Sequence, residues 1–416
     1  MGYKPCKPIG ELLDFSRGGG WGKESVFPDS KRIAIVRGAD FPSIARGDYE
    51  GLPIRFEKSK KVDSVALRAG DIVLENSGGT ETRPTGRTVL ITQKLIDSYD
   101  CPIIPASFCR VLRIAPSFDS TFIYYWLQNM YRSGRTWGYQ NRSTGLSNFQ
   151  FKAFSELELV PDLDIELQLR IASVLLQIDD KIALNNRLNG YLAEACDALY
   201  SSFAADNNFD SGTLADLVEV KYGKDHKRLG TGDVPVYGSG GFMRSVNDRL
   251  YQGESVLIPR KGSLNNVMFV NEAFWTVDTM FYTVPTCPGA AKYVYQFIKR
   301  VNLASMNSGS AVPSMTTDIL NSIELPVPGV DQLAQFDRML EPYYSAIRLN
   351  RTESSRLADF RDTLLPKLMS GEIDVSKVDL TQLNSHLYAR ALHFAPARSF
   401  IYHMWLSGLD MRGSLR

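Results

Sequence analysis

The chain carries one long amphipathic segment twice, about 165 residues apart, and each copy follows a mixed, turn-rich block. In the first copy Ile171, Val174, Ile178, Ile182, Asn185, Leu188, Leu192 and Leu199 keep the three- and four-residue spacing of one helix face. Phe336, Met339, Tyr343, Ile347, Asn350, Leu357, Phe360 and Leu364 do the same in the second. A shift of 165 places Ile182 on Ile347, Leu184 on Leu349, Asn185 on Asn350, Leu192 on Leu357 and Leu199 on Leu364. Stripe and polar interruption coincide, which points to duplication. About 40 helical residues would reach roughly 60 Å at 1.5 Å each, too long for the core helix of a small domain. Two such helices favour an antiparallel pair, with Asn185 and Asn350 fixing its register, because a buried Asn gives up stability to specify one alignment.

The blocks between the helices read as α+β. The first, about 1–155, has strand-like runs (RIAIVRG, DIVLEN, TVLIT, CRVLRIA) and a helix near Phe122 to Tyr131, punctuated by GGGWG, FPS and NSGGTETRPTG. The second, about 213–326, has SVLIP, VMFV and FYTVP and a helix near Ala290 to Val301. RAGDIVLENSGG at 68–79 matches QGESVLIPRKGS at 252–263, pairing Gly70 with Gly253 and Val73 with Val256. STGLSNFQFKAFSELEL at 143–159 matches GSAVPSMTTDILNSIEL at 309–325. The offset falls from 183 to about 166, so the first block holds some 17 extra residues in its middle. Pro342 predicts a kink or a late start in the second long helix, and Pro366 a bend or an end. The expected boundaries are a first block at 1–160, a helix at 161–205, a second block at 206–328, a helix at 329–371 and a tail at 372–416. Within the tail, Leu380, Leu383, Leu387 and Ala391 suggest a short helix.

Composition excludes several classes. With 44% hydrophobic and 22% charged residues among 416, the chain is globular and long enough for two to four units. No apolar run approaches the roughly 18 residues that span a bilayer, and MGYKPCKPIGE lacks the apolar core of a signal peptide, so a cytoplasmic protein is expected. Cys6, Cys101, Cys109, Cys196 and Cys287 form neither a CxxC nor a His/Cys cluster, so no zinc site or disulfide framework is encoded. A phosphate-binding loop needs a glycine five places before Gly-Lys and a Ser or Thr after it; Gly22-Lys23 has Arg17 and Glu24 there. Net charge is only +1, but it is unevenly spread. Ser120 to Ser155 holds Arg132, Arg135, Arg142 and Lys152 and no acid, and Thr279 to Thr317 holds Lys292, Lys299 and Arg300 and no acid. KYGKDHKR at 221–228 sets three lysines, an arginine and a histidine against one aspartate. Positive potential is therefore expected on the blocks and acidic or mixed charge on the helices.

The GDIV loop (Gly70 to Val73), its echo GESVLIPRKGS, the run FWTVDTMFY at 274–282, the segment IELQLRIASVLLQIDDKIALNN and the closing LLPKLMSGEI at 364–373 resemble the specificity subunit of Type I restriction-modification systems. The likeness runs over roughly residues 5–373. It implies two target-recognition domains, separated by two long antiparallel, coiled-coil-like helices in a pseudo-two-fold internal repeat, each domain reading half of a bipartite double-stranded DNA site. It also implies that the chain itself is not an enzyme and binds no cofactor: S-adenosylmethionine, ATP and Mg would belong to two methyltransferase and two restriction/translocase partner subunits. Base reading needs a few bidentate side chains, and phosphate contacts need distributed bases and hydroxyls. The expected DNA-binding residues are Arg83, Arg87, Arg142, Ser143 and Asn148 in the first domain and Lys224, His226, Lys227, Arg228, Arg260, Lys261, Ser308, Ser310 and Ser314 in the second. Two other readings stand beside this one: a stand-alone restriction or nicking endonuclease with a metal site drawn from Pro161, Asp162 and Asp225-His226-Lys227, and a coiled-coil scaffold or regulator.

Overall fold

The computed structural model describes residues 6–143, 146–206, 208–306 and 314–376, so the proposed tail helix lies outside the described residues. They form two compact units, one of residues up to Arg187 with those from Asn350 onward, the other Leu188–Leu349. Four helices organise them: α1 (Ser120–Arg132), α2 (Ile165–Asp206), α3 (Ala290–Ile298) and α4 (Val330–Ser370). The two long helices have 42 and 41 residues and each contributes to both units. Among the described residues no helix is long and apolar enough to cross a membrane.

Within each unit the long helices run antiparallel, because contacts climb α2 as they descend α4. In the first unit Ile171 and Leu175 share a core with Leu365, Leu368 and Met369, while Asp179 accepts from Arg361 and Asn185 reaches Glu353. In the second, Leu192 packs with Ala346 and Ile347, and Phe203 lies on Phe336 with ring centroids 4.7 Å apart. Asn185 is buried at 2% exposure and donates to Glu353 Oε2 (2.9 Å) and Ser354 Oγ (3.3 Å). Buried Lys181 approaches the same carboxylate at 3.5 Å. The polar layer around Asn185 is thus built with residues one turn beyond Asn350, which is itself half-buried.

Pro342 does not delay the start of the second long helix, and the helix ends one turn after Pro366. Helix α4 begins at Val330, well before Pro342, and continues four residues past Pro366. Each proline removes one backbone donor, but the turns about Pro342 are held by buried Phe336, Leu340 and Tyr344, and those about Pro366 by Leu365, Leu368 and Met369. Tertiary packing outweighs the local penalty.

The blocks repeat one frame. Cys6–Pro8 pairs with Leu159–Pro161, and Asp210–Thr213 with Glu324–Val327, so in each unit the strand that opens the block pairs with the strand before a long helix. The central sheet of the first unit runs in the order Leu13–Gly18, Cys109–Ile114, Ile72–Glu75, Thr88–Leu90. In the second unit the order is Val218–Tyr222, Met280–Pro285, Tyr251–Pro259, Met268–Thr276, Val234–Gly238, Gly241–Val246. The second unit's sheet contains one parallel step, Tyr237 opposite Thr276, and the first unit has its counterpart, Val36 opposite Pro105, in a separate three-stranded sheet ordered Ile54–Lys58, Ser30–Val36, Ile103–Pro105.

Strand register corrects the expected alignment by one residue. Val73 faces Val111 and Leu257 faces Tyr282, which are matching positions, so Leu257 rather than Val256 is the counterpart of Val73. The slip was invisible in the sequence because Ile72 to Leu74 and Val256 to Ile258 are all fully buried, leaving no face-to-face alternation to mark register. The first unit is also longer than the expected 17 residues suggest. Ile9 donates to Glu158 O as Leu214 does to Ile323 O, and the separation between equivalents shrinks from 205 to 165 across the block. Much of the excess precedes Gly70, in the connections on either side of Ile54–Lys58, including the short helix Ser59–Val65.

Each block is clamped to the long helices through its short helix. In the second unit Lys292 of α3, 1% exposed, places Nζ 2.7 Å from Glu254, 2.5 Å from Asp337 and 2.7 Å from Glu341. In the first, Tyr125 of α1 donates to Asp179 (2.7 Å), which also accepts from Arg361. At the far end of the short helices, Arg132 pairs with Asp362 and Lys299 with Asp197, two aspartates 165 residues apart. The expectation that Lys292, Lys299 and Arg300 give the second block a positive face is therefore wrong. Lys292 is enclosed by carboxylates, and Lys299 and Arg300 hold the Asp197 side chain and carbonyl.

Replacing Lys292 by Met should leave three carboxylates facing one another and destabilise the chain by about 3–5 kcal/mol in urea unfolding near neutral pH. Burial raises the Glu341 carboxyl, but hydrogen bonds from Lys292, Ser345 and Arg348 outweigh it and hold the group at about 2, below its ordinary 4.5. Its folded value is depressed, so its contribution is complete above about 4.5 and is lost as pH falls towards about 2. Wild type should lose stability across that window, Glu341→Gln should lose less, and Lys292→Met should instead gain stability as its crowded acids protonate.

Candidate nucleic-acid interface

In the second unit four loops meet at one end of the sheet because backbone donors stitch them to the Thr276–Thr279 turn. Gly223 N–H donates to Met280 O (2.9 Å) and Lys224 N–H to Thr276 O (2.8 Å), while Arg260 and Lys261 N–H both donate to Thr279 O (2.8 and 3.3 Å). Asn266 Nδ2 donates to Ser239 O at 2.8 Å, adding the turn at 238–241. A Cβ at Gly223 would lie 2.1 Å from Val277 O, so only glycine permits the approach. Between the loops opens a cleft of about 680 Å³, lined by Asp225, His226, Lys227, Phe242, Met243 and Thr279 among others.

The rim is basic and partly apolar. Lys224, Lys227, Arg228 and Lys261 are exposed, and so are Phe242 (63%) and Met243 (53%). His226 Nδ1 accepts from Arg244 Nε at 3.1 Å, which leaves Nε2 to carry the ring proton, and Arg244 also holds the carbonyls of His226 and Leu229. The Lys227 N–H donates to Asp225 and holds that exposed carboxyl below its usual range. Arg260 lies over the Tyr222 ring (5.4 Å) and donates to Asp278 O (3.1 Å). Ser314 forms a bridge with Lys261. The fold thus gathers Lys224, His226, Lys227, Arg228, Arg260, Lys261 and Ser314 on one end of the unit; Ser308 and Ser310 lie outside the described residues.

The first unit repeats the stitches. Gly19 N–H donates to Cys109 O (3.0 Å) and Gly20 N–H to Pro105 O (2.9 Å); Asn76 and Ser77 N–H donate to Phe108 O (2.7 and 3.1 Å). A Cβ at Gly19 would fall 1.9 Å from Pro105 O, the same close approach as at Gly223. Asn148 pairs with Ser77 and accepts from its hydroxyl at 2.5 Å, as Ser314 pairs with Lys261. Arg142 and Ser143 lie on the neighbouring strand Gln140–Ser143, and nothing further is described of their side chains.

Arg83 and Arg87 differ sharply. Glu75 is buried (4% of its side chain exposed) and accepts two hydrogen bonds from Arg87, at 2.8 Å from Nε and 2.6 Å from the terminal nitrogen. That fork raises Arg87 above its ordinary value and leaves its side chain 18% exposed. Arg83 is 37% exposed, 3.8 Å from the same carboxylate, and donates to Gly78 O at 2.6 Å. Arg87 holds the loop together and Arg83 is the more available cation.

The first unit's counterpart of the loop beginning at Gly223 carries Trp21 and Lys23, both exposed and neither singled out by the sequence. The signal was present in Arg17-Gly18-Gly19 against Lys221-Tyr222-Gly223, but GGGWG was read only as a turn. No catalytic constellation emerges among the described residues. Asp162 is engaged by Lys7 (2.9 Å) in the first unit and Asp225 sits in the second. The acidic group Glu254, Asp337 and Glu341 has the Lys292 ammonium at its centre. The surface is suited to holding a polyanion.

Arg87→Ala should strand Glu75 in the interior and lower stability by about 3 kcal/mol, whereas Arg83→Ala should stay within about 0.5 kcal/mol of wild type. Chemical unfolding of both variants separates the structural guanidinium from the available one.

A family model, the Type I restriction modification DNA specificity domain, matches residues 7–193 and 207–358. The Type I restriction enzyme EcoprrI specificity subunit of Escherichia coli is 24% identical over 331 residues, covering 72% of this chain and 78% of that one. The solved S subunit of a Type-I restriction-modification system from M. genitalium shares the fold at a TM-score of 0.52 and 17% identity, over 88% of this chain and 95% of that one. With both halves of the repeat matched and the same α+β frame in each, the chain belongs to the Type I restriction-modification specificity-subunit family, the DNA-recognition component of systems whose catalysis resides in other subunits.

Proposed function

We propose that this chain reads a bipartite double-stranded DNA site, each unit contacting one half, and that α2 and α4 fix the gap between the halves and dock two methyltransferase subunits. Two restriction/translocase subunits would join a restricting complex, and S-adenosylmethionine, ATP and Mg would be bound by the partners. The observation that carries this reading is the pair of loop clusters built on one set of backbone stitches but bearing different side chains: Arg83, Arg87 and Asn148 on one, Lys224, His226, Lys227, Arg260 and Lys261 on the other. A shared scaffold with divergent rims is what reading two unlike half-sites requires, since phosphate contacts orient the protein and a few side chains choose the bases. The helices support the ruler role because each contributes residues to both units.

Co-expression with a methyltransferase partner should yield adenine methylation at one split, asymmetric sequence, read by genome-wide mapping in cells with and without this chain. Methylation scattered over unrelated sequences, or none with any neighbouring methyltransferase, would sink the proposal. Binding should weaken steeply with salt because neutralised phosphates release counterions. Inserting four residues after Asn185 in α2, with a matching turn in α4, should lengthen the recognised gap by about one or two base pairs, from a helical turn of about 5.4 Å and a base-pair rise of about 3.4 Å. An unchanged gap would remove the helices from that role.

A further inference from the structure

We infer that the Gly18–Lys23 loop of the first unit is a DNA-contacting element, with Lys23 on a backbone phosphate and Trp21 beside it, equivalent to the Asp225–Lys227 segment of the second unit. The inference rests on the proposed DNA-reading role and adds to it a loop that no motif marks.

The repeated hydrogen bonds define the equivalence residue by residue. Gly19 and Gly223 each donate to the first residue of a matching strand, Cys109 and Met280, and the next residue donates to Pro105 or Thr276. Both glycines are forced by a carbonyl about 2 Å from any Cβ. Ala106 N–H donates to Val36 O as Val277 N–H does to Tyr237 O, which aligns the neighbouring turn as well. Counting on from the glycines, Arg17 matches Lys221, Trp21 matches Asp225 and Lys23 matches Lys227.

The side chains fit a polyanion. Lys23 is exposed, its backbone is fixed by reciprocal hydrogen bonds with Phe56 (2.8 and 2.9 Å), and its Nζ stands 4.9 Å from the centroid of the Phe27 ring. Trp21 is 41% exposed and faces the Arg55 guanidinium at 5.2 Å. Arg55 also pairs with Glu24 at 2.5 Å, so the nearest acid on the loop is occupied by a base. Phe108, 59% exposed, is on the turn whose carbonyl receives Asn76 and Ser77, the place that Thr279 takes in the second unit. A cation held on a rigid backbone beside exposed rings suits phosphate and deoxyribose better than a protein partner, and double-stranded DNA is the occupant to which the charge commits it.

The test uses the full chain in complex with its methyltransferase subunits. Lys23→Ala should lower affinity for the split site on the order of fivefold at physiological ionic strength and reduce the salt slope by about one; Lys23→Glu should lower affinity further. Phosphate-ethylation interference should reveal one phosphate, within a single half-site, whose modification weakens wild type but not Lys23→Ala. Trp21→Ala should weaken binding and Trp21→Phe restore most of it, with thermal unfolding unchanged for the Phe variant. Lys94→Ala, an exposed lysine on the short helix Gln93–Asp97, is the control and should bind as wild type does. Wild-type affinity, slope and interference pattern in both Lys23 variants would overturn the inference while leaving the DNA-reading role intact. Equal losses from Lys94→Ala would also overturn it by showing diffuse charge rather than contact. Failure of wild type itself to bind a split site would instead overturn the functional reading on which the inference rests.

Discussion

An ammonium group at 1% exposure persists in this protein because three carboxylates, from the strand Tyr251–Pro259 and from two turns of α4, close on Lys292. Removing a charge from water is tolerated only where geometry is good and every proton finds an acceptor. The cluster therefore does more than add stability: it fixes where the sheet and α3 sit against the long helix, since sliding α4 by one turn would separate the partners. Tyr125, Asp179 and Arg361 perform the same duty in the first unit with a phenol in place of the ammonium. The cores around them, with Phe203, Tyr293 and Phe336 in one and Phe122, Phe154 and Leu368 in the other, supply most of the apolar burial. The ionic contacts choose among the packings that burial would allow.

Once a block is held on its helices, its far end can vary. The loops there are fastened through backbone groups and two glycines, so their side chains carry little of the fold. Side chains add a few fastenings, Arg87 through its fork to Glu75 in the first unit and Arg244 and Asn266 through loop carbonyls in the second. This division between a stitched frame and a free rim is the physical basis on which one duplicated architecture can present two unlike surfaces. It also places Trp21 and Lys23 where position alone, without any motif, identifies them.

Much of this was legible in the sequence. The helix stripes appeared as long helices, the runs DIVLEN, CRVLRIA and FYTVP as strands, and Phe122 to Tyr131 as a helix, because periodicity reports burial directly. What failed did so for identifiable reasons. Local charge counting gave Lys292, Lys299 and Arg300 to the surface, but their partners, Glu254, Asp337, Glu341 and Asp197, are distant in sequence. Pro342 was weighed against a helix in isolation, not one braced by Phe336 and Tyr344. Register slipped by one residue where both faces of a strand are buried. Arg83 and Arg87 looked alike until Glu75 separated them.

The sequence by itself determined the duplication, the antiparallel helix pair and the α+β character of the blocks, since all three are written in spacing and order along one chain, and its motifs carried the resemblance to the family. Only tertiary structure decided which cations are free. A charge is available to a ligand when no carboxylate has folded against it, and that depends on residues up to 182 positions apart, as between Asp179 and Arg361. The same holds for Gly19 and Gly223, ordinary turn residues in the sequence, whose need for glycine arises from a carbonyl brought in from another strand.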